Sequence, residues 1–135
     1  MPRENFRDRA LVIRSYDFGE ADRVIVLLTR SHGLVRAVAK GVRRAKSRFG
    51  SRLQPFVNLD VQLYPGRNLY TISQADTVDF FGAAIIGDYE RYTAACAALE
   101  SAERLAFADS DQDPFLYNAL VATLERLQHD DPLLT

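Results

Sequence analysis

Seven cations and no acid occupy residues 36–52 of this 135-residue chain: Arg36, Lys40, Arg43, Arg44, Lys46, Arg48 and Arg52. Gly41 and Gly50 bracket the densest part, and Phe49 lies inside it. Cations packed this closely repel one another unless an anion neutralises them, and a phosphate backbone supplies anions at regular spacing. Arginine presents a planar fork to phosphate oxygens, and an aromatic ring such as Phe49 can stack on a base. These eight residues are the expected nucleic-acid contacts. Arg14, Arg23, Tyr64 and Tyr70 are weaker candidates. Ordinary surface charge explains the first two equally well, and aromatic packing over a barrel end explains the tyrosines. For the whole set, the plain alternative is a solvated loop that only keeps the protein soluble.

No comparable pattern supports catalysis, so no catalytic residue is assigned. Ser31 and His32 are adjacent in a turn, and no acid is placed by sequence to orient the imidazole. No Gly-x-x-x-x-Gly-Lys-[Ser/Thr] string is present, which counts against a P-loop ATPase. Asp17, Glu20 and Asp22 could attract Mg²⁺ for a nuclease. Turn chemistry accounts for them as well, and their oxygens are too few for a site. Cys96 is the only cysteine, and it is expected as a small core residue. With two isolated histidines, no zinc cluster or internal disulfide is expected in this chain. Binding is favoured over chemistry.

The elements that must position these residues are short strands followed by helices. Ala10–Tyr16, Arg23–Arg30, Leu34–Val42, Phe56–Tyr64 and Leu69–Gln74 read as strands. Ser31-His32-Gly33 suits a tight hairpin because glycine tolerates positive φ. In Phe56–Tyr64, Val57, Leu59, Val61 and Leu63 share one face, while Asn58, Asp60, Gln62 and Tyr64 share the other. Five such strands predict a small antiparallel barrel over residues 1–80, in an α+β chain. From Ala83 to Phe107 the period lengthens, with Ile85, Tyr89, Tyr92, Cys96 and Leu99 on one helical stripe. Asp113-Pro114 reads as a cap and opener for a second helix, Phe115–Gln128, with Leu116, Leu120, Leu124 and Leu127 inward. Asp131-Pro132 repeats that opener. Residues 81–135 are therefore expected to be the start of a helical domain that this chain does not complete.

Charge follows the same division. The formal net charge is −1, yet residues 1–52 carry 13 cations and 5 acids, while residues 53–135 carry 4 and 13. A basic part joined to an acidic part is a prior for polyanion binding. Apolar runs such as Val24–Leu28 fall far short of the ~20 residues that span a bilayer. The N-terminus lacks the apolar region of a secretory signal. The expectation is a cytoplasmic, nucleoid-associated protein without a membrane partner.

Several strings carry a resemblance. They are Gly19-Glu20-Ala21-Asp22-Arg23, Leu27-Leu28-Thr29-Arg30-x-His32-Gly33, Ala37-Val38-Ala39-Lys40-Gly41-Val42-Arg43-Arg44, Ser47-Arg48-Phe49-Gly50 and Leu53-x-Pro55-Phe56. In this order and spacing they resemble the N-terminal half of the bacterial recombination mediator RecO family. Gln62-Leu63-Tyr64-x-Gly66-Arg67-x-Leu69 and the Asp88-Tyr89-x-Arg91-Tyr92 helix fit the same pattern. The resemblance implies an oligonucleotide-binding (OB-fold) barrel, a helical domain and, in many members, a C-terminal zinc module. No Cys-x-x-Cys is present, so no cofactor is assigned here and zinc could belong only to a module outside this chain. It further implies binding of single- and double-stranded DNA and strand annealing. With RecR it implies loading of RecA onto strands covered by single-strand-binding protein, whose acidic C-terminal tail is also a partner. Arg91 and Arg104 are conceivable contributors to that tail site. The rival expectation is a protein-interaction module that docks RecR or the tail with little direct DNA contact.

Overall fold

The computed structural model describes residues 4–44, 47, 49–50, 52–108 and 114–129. Five strands, β1 (Phe6–Phe18), β2 (Asp22–Thr29), β3 (Leu34–Ala39), β4 (Val57–Pro65) and β5 (Tyr70–Phe80), close a barrel in the order β1-β2-β3-β5-β4. The barrel is mixed rather than purely antiparallel, because β3 and β5 run parallel through Ala37↔Tyr70 and Val38↔Thr71. Parity requires this. Directions that alternate around a ring of five must repeat once, and the repeat falls on β3–β5.

Side-chain alternation fills the interior. Ala10, Val12, Ile25, Leu27, Leu59 and Val61 are fully buried in the barrel core. At the β2–β3 hairpin, Gly33 adopts φ 70°, and its carbonyl accepts the Thr29 N–H at 2.9 Å and the Thr29 hydroxyl at 2.7 Å. This is the expected tight turn. β5 runs six residues beyond the expected Gln74, since Ala75–Phe80 pair back to Val57–Val61 of β4. The polar run Asp76-Thr77-Val78-Asp79 hides that continuation, and cross-strand pairing outweighs its weak strand propensity.

A second core lies outside the barrel. Leu11, Ile13, Val26 and Leu28 point away from the barrel interior yet are buried beneath α1 (Gly82–Ile86), α2 (Tyr89–Ala108) and α3 (Phe115–His129). This explains why Val24–Leu28 is apolar at every position: β2 is buried on both faces. From the helices come Ile85, Ala95, Leu99, Ala102, Leu120 and Leu124. Phe56 joins them from the start of β4. It carries φ 72°, an unfavourable region for a bulky residue, and in that conformation its ring reaches the helical layer while Val57 enters the barrel.

One helix was expected over Ala83–Phe107, but two are present, separated at Gly87-Asp88. The Asp88 carboxylate accepts the N–H groups of Glu90 (3.1 Å) and Arg91 (3.2 Å), which starts α2 afresh. The buried stripe consequently moves. Tyr89 is 82% exposed, and the inward residues are Ala95, Leu99 and Ala102. Cys96 is partly buried against this core, as a small packing residue. The Asp113 cap and the Asp131-Pro132 opener lie outside the described residues. Among the described residues, no helix is long and apolar enough to cross a membrane.

A buried polar contact fixes α3 on the barrel. The Tyr117 hydroxyl donates to Asn58 Oδ1 at 2.8 Å, and both residues are almost fully buried. Burial pushes the Tyr117 hydroxyl above its ordinary value of 10.0. The folded state therefore favours the neutral form, and its stability contribution is intact below about pH 10 and declines as pH rises further. Tyr117→Phe should cost about 1–2 kcal/mol at neutral pH by stranding Asn58. Urea unfolding followed against pH should also show a shallower alkaline decline than in the parent protein.

Candidate nucleic-acid interface

β3 sets the geometry of the basic strip. Val35, Ala37 and Ala39 face the barrel core, so Arg36 and Val38 face outward, and Lys40 follows at the strand end. Arg36 and Lys40 are exposed around the largely buried Val38. Gly41 then turns the chain with φ 70°, and its N–H donates to Asp22 Oδ1 at 2.7 Å. Arg43 N–H donates to the Ala21 carbonyl at 3.0 Å. The first part of the basic loop is thereby fastened to the β1–β2 turn.

The cations differ in how they are held. Arg23 (3.1 Å) and Arg43 (3.3 Å) both pair with Asp17. Asp17 and Asp22 thus serve as fasteners for this loop, and Glu20 stands exposed beside them. Among the described residues, no group of three or more His, Cys, Asp or Glu side chains could hold a metal ion. Arg36, Lys40 and Arg44 form no ion pair with any described residue and are exposed. Arg52 is also exposed, beside Ser73, Gln74 and Asp76 of β5. Lys46 and Arg48 lie outside the described residues.

Three expectations need correction. Phe49 does not offer its ring to a ligand: it is 2% exposed and packs in the barrel core with Leu53 and Val57. The crossing from β3 to β4 passes an open barrel end, and an apolar side chain is needed to fill it. Arg14 is bound bidentately to Glu103 of α2, with bonds of 2.9 and 2.9 Å, and these hydrogen bonds raise its pKa. It joins barrel to helix, two strands across from Arg36 in the register Arg14↔Val26↔Arg36. Tyr70 is partly buried against the barrel core, where its ring meets Phe6 edge-on at 5.3 Å. Tyr64 does remain outward and 39% exposed, and the register Val38↔Thr71↔Tyr64 sets it two strands from the basic strip.

Sequence reading missed two aromatics and one pair. Tyr16 (40% exposed) and Phe18 (45%) sit on β1, which continues two residues past its expected end. Tyr16 pairs with Val24 and Val24 with Val38, so Tyr16 shares the outer wall with the cations. Their alternation about Asp17 was the available signal, masked by the turn character of Asp17-Phe18-Gly19. His32 Nδ1 meets Asp8 Oδ2 at 2.8 Å, an acid supplied from 24 residues away, and the imidazole stacks on Phe6 at 3.8 Å. No hydroxyl or thiol of a described residue bonds that ring, and Asp8 also accepts the Ser31 N–H at 2.8 Å, so the pair ties the β2–β3 hairpin to β1. Arg91 is also structural, since its guanidinium donates to the carbonyls of Leu127 (2.8 Å) and Gln128 (3.2 Å) at the end of α3.

Burial of Phe49 has a direct consequence. Phe49→Ala should lower unfolding free energy by roughly 3 kcal/mol, as buried Phe→Ala changes do. Urea titration checks this; an unchanged midpoint would mean the ring contributes little to the core.

Two family models match the chain. The one described as Recombination protein O N terminal matches residues 1–81, and the one described as Recombination protein O C terminal matches residues 86–135.

Proposed function

Given that the chain belongs to the recombination protein O family, we propose that it is a DNA-binding recombination mediator acting in DNA repair. In this reading the outer face of β3 and the loop after it hold single or double strands by their phosphates. Annealing follows from the same property, since it breaks no covalent bond and requires only that two polyanions approach. Delivery of RecA to strands covered by single-strand-binding protein, together with RecR, belongs to this proposal as the family's role.

The observation that carries it is the exposed set Arg36, Lys40 and Arg44, which form no ion pair with described residues in a segment without a single acid. The helices cover the neighbouring wall at Val26 and Leu28 but leave this strip open. The rival reading, docking of an acidic protein tail, calls for an apolar groove, and the described residues form such a groove. It lies between α2 and the barrel, has a volume of about 440 Å³, and is lined by Ile13, Phe56, Tyr92 and Leu99. Glu100 and Glu103 also line it, and Glu103 already neutralises Arg14. An acidic tail would meet carboxylates there. Arg104 borders an adjoining cavity with the same two glutamates. The phosphate reading is therefore preferred.

If about four phosphates of a single strand are neutralised, log K should fall with log[salt] at a slope near −3. Arg36→Ala/Lys40→Ala/Arg44→Ala should weaken binding of a labelled oligonucleotide and bring that slope to about −1. A fluorescence titration across salt concentrations measures both. Unchanged affinity and slope in the triple variant would contradict the reading.

A further inference from the structure

We propose that Tyr16 is a base-stacking platform, giving the basic wall a component of affinity that only single-stranded nucleic acid with unstacked bases can use. The inference rests on the phosphate-binding reading above and deepens it.

Four observations support it. Tyr16 points outward from β1 with 40% of its surface exposed, although a large aromatic gains by burial. It belongs to the same outer wall as the cations, because the register runs Tyr16↔Val24↔Val38 and Arg36 and Lys40 flank Val38. Two strand spacings separate the ring from that strip, roughly 10 Å. Third, the ring is backed. The Arg14 guanidinium lies 5.7 Å from its centroid and is itself held by the bidentate bond to Glu103. A cation over one face steadies the ring. Fourth, the helical layer stops short of this place: it buries Ile13 and Val26, while Tyr16 and Phe18 beyond them stay exposed.

The chemistry discriminates between ligands. A strand held by phosphates along β3 can turn its bases toward β1, where a ring face is stacked without regard to base identity. In a duplex the base faces are already occupied by their neighbours, so Tyr16 contributes nothing there. The cations serve both ligands, and the ring serves one.

The test compares an oligothymidylate with a duplex of equal length, using the full chain. Tyr16→Ala should weaken oligothymidylate binding roughly tenfold, leave the duplex unaffected and leave the salt slope unchanged. Tyr16→Phe should bind like the parent. Since the chain has no tryptophan, Tyr16→Trp provides a single reporter whose emission should be quenched by oligothymidylate and not by the duplex. Equal losses on both ligands, no loss on either, or an emission unchanged at saturation would overturn the proposal. Arg36→Ala/Lys40→Ala/Arg44→Ala keeps the two readings apart. If this variant loses affinity while Tyr16→Ala does not, stacking fails and phosphate binding stands. If neither loses affinity, both fail.

Discussion

The double burial of the β1–β2 wall governs the rest of the molecule. Ala10, Val12, Ile25 and Leu27 fill the barrel, while Leu11, Ile13, Val26 and Leu28, one residue out of step, fill the space beneath the helices. Burying each of the larger side chains contributes on the order of 1.5–3 kcal/mol, so helices and barrel stabilise each other through shared strands. That sharing decides which barrel surface is left for a ligand. The helices occupy the wall at Leu11, Val26 and Leu34, and among the described residues the surface left open includes Arg36, Lys40 and Arg44, the end of β1 and Tyr64 on β4. α2 also carries Glu103 to Arg14, which pairs one exposed cation with an acid and holds it over the Tyr16 ring.

The β3–β4 connection satisfies two demands at once. A five-stranded ring with this order needs a long crossing past the barrel end, and that end must be stoppered. Phe49 and Leu53 turn inward to do so. Near its start the same connection holds Lys40 and Arg44 in solvent and is fastened by Gly41 to Asp22 and by Arg43 to Asp17. Apolar and cationic residues in this segment therefore serve opposite sides of one loop. The net charge of −1 conceals this arrangement, because the acids that balance the cations lie mostly beyond residue 52.

Much of this was legible in the sequence, for reasons that can be named. The strict alternation of Val57, Leu59, Val61 and Leu63 identifies β4 because period two has no helical counterpart. Gly33 marks the β2–β3 hairpin because few other residues accept its φ. The basic strip is visible because no acid interrupts it. Other features depend on partners distant in sequence. Whether Phe49 faces solvent or core is set by the barrel end that it fills, and Arg14 is taken by Glu103, 89 residues away. The tail of β5 is polar and becomes a strand only by pairing with β4. The break at Gly87-Asp88 sits within a continuous apolar periodicity, which conceals it. Tyr16 and Phe18 were obscured because turn-forming residues surround them.

The most direct measurement of the central claim is an amide chemical-shift map of the labelled chain titrated with oligothymidylate at low salt. The account predicts that the largest changes fall on Arg36–Arg44 and on Tyr16 and Phe18, with α3 from Leu120 to Leu127 unmoved. Changes concentrated on the helices, with β3 and its loop silent, would contradict it.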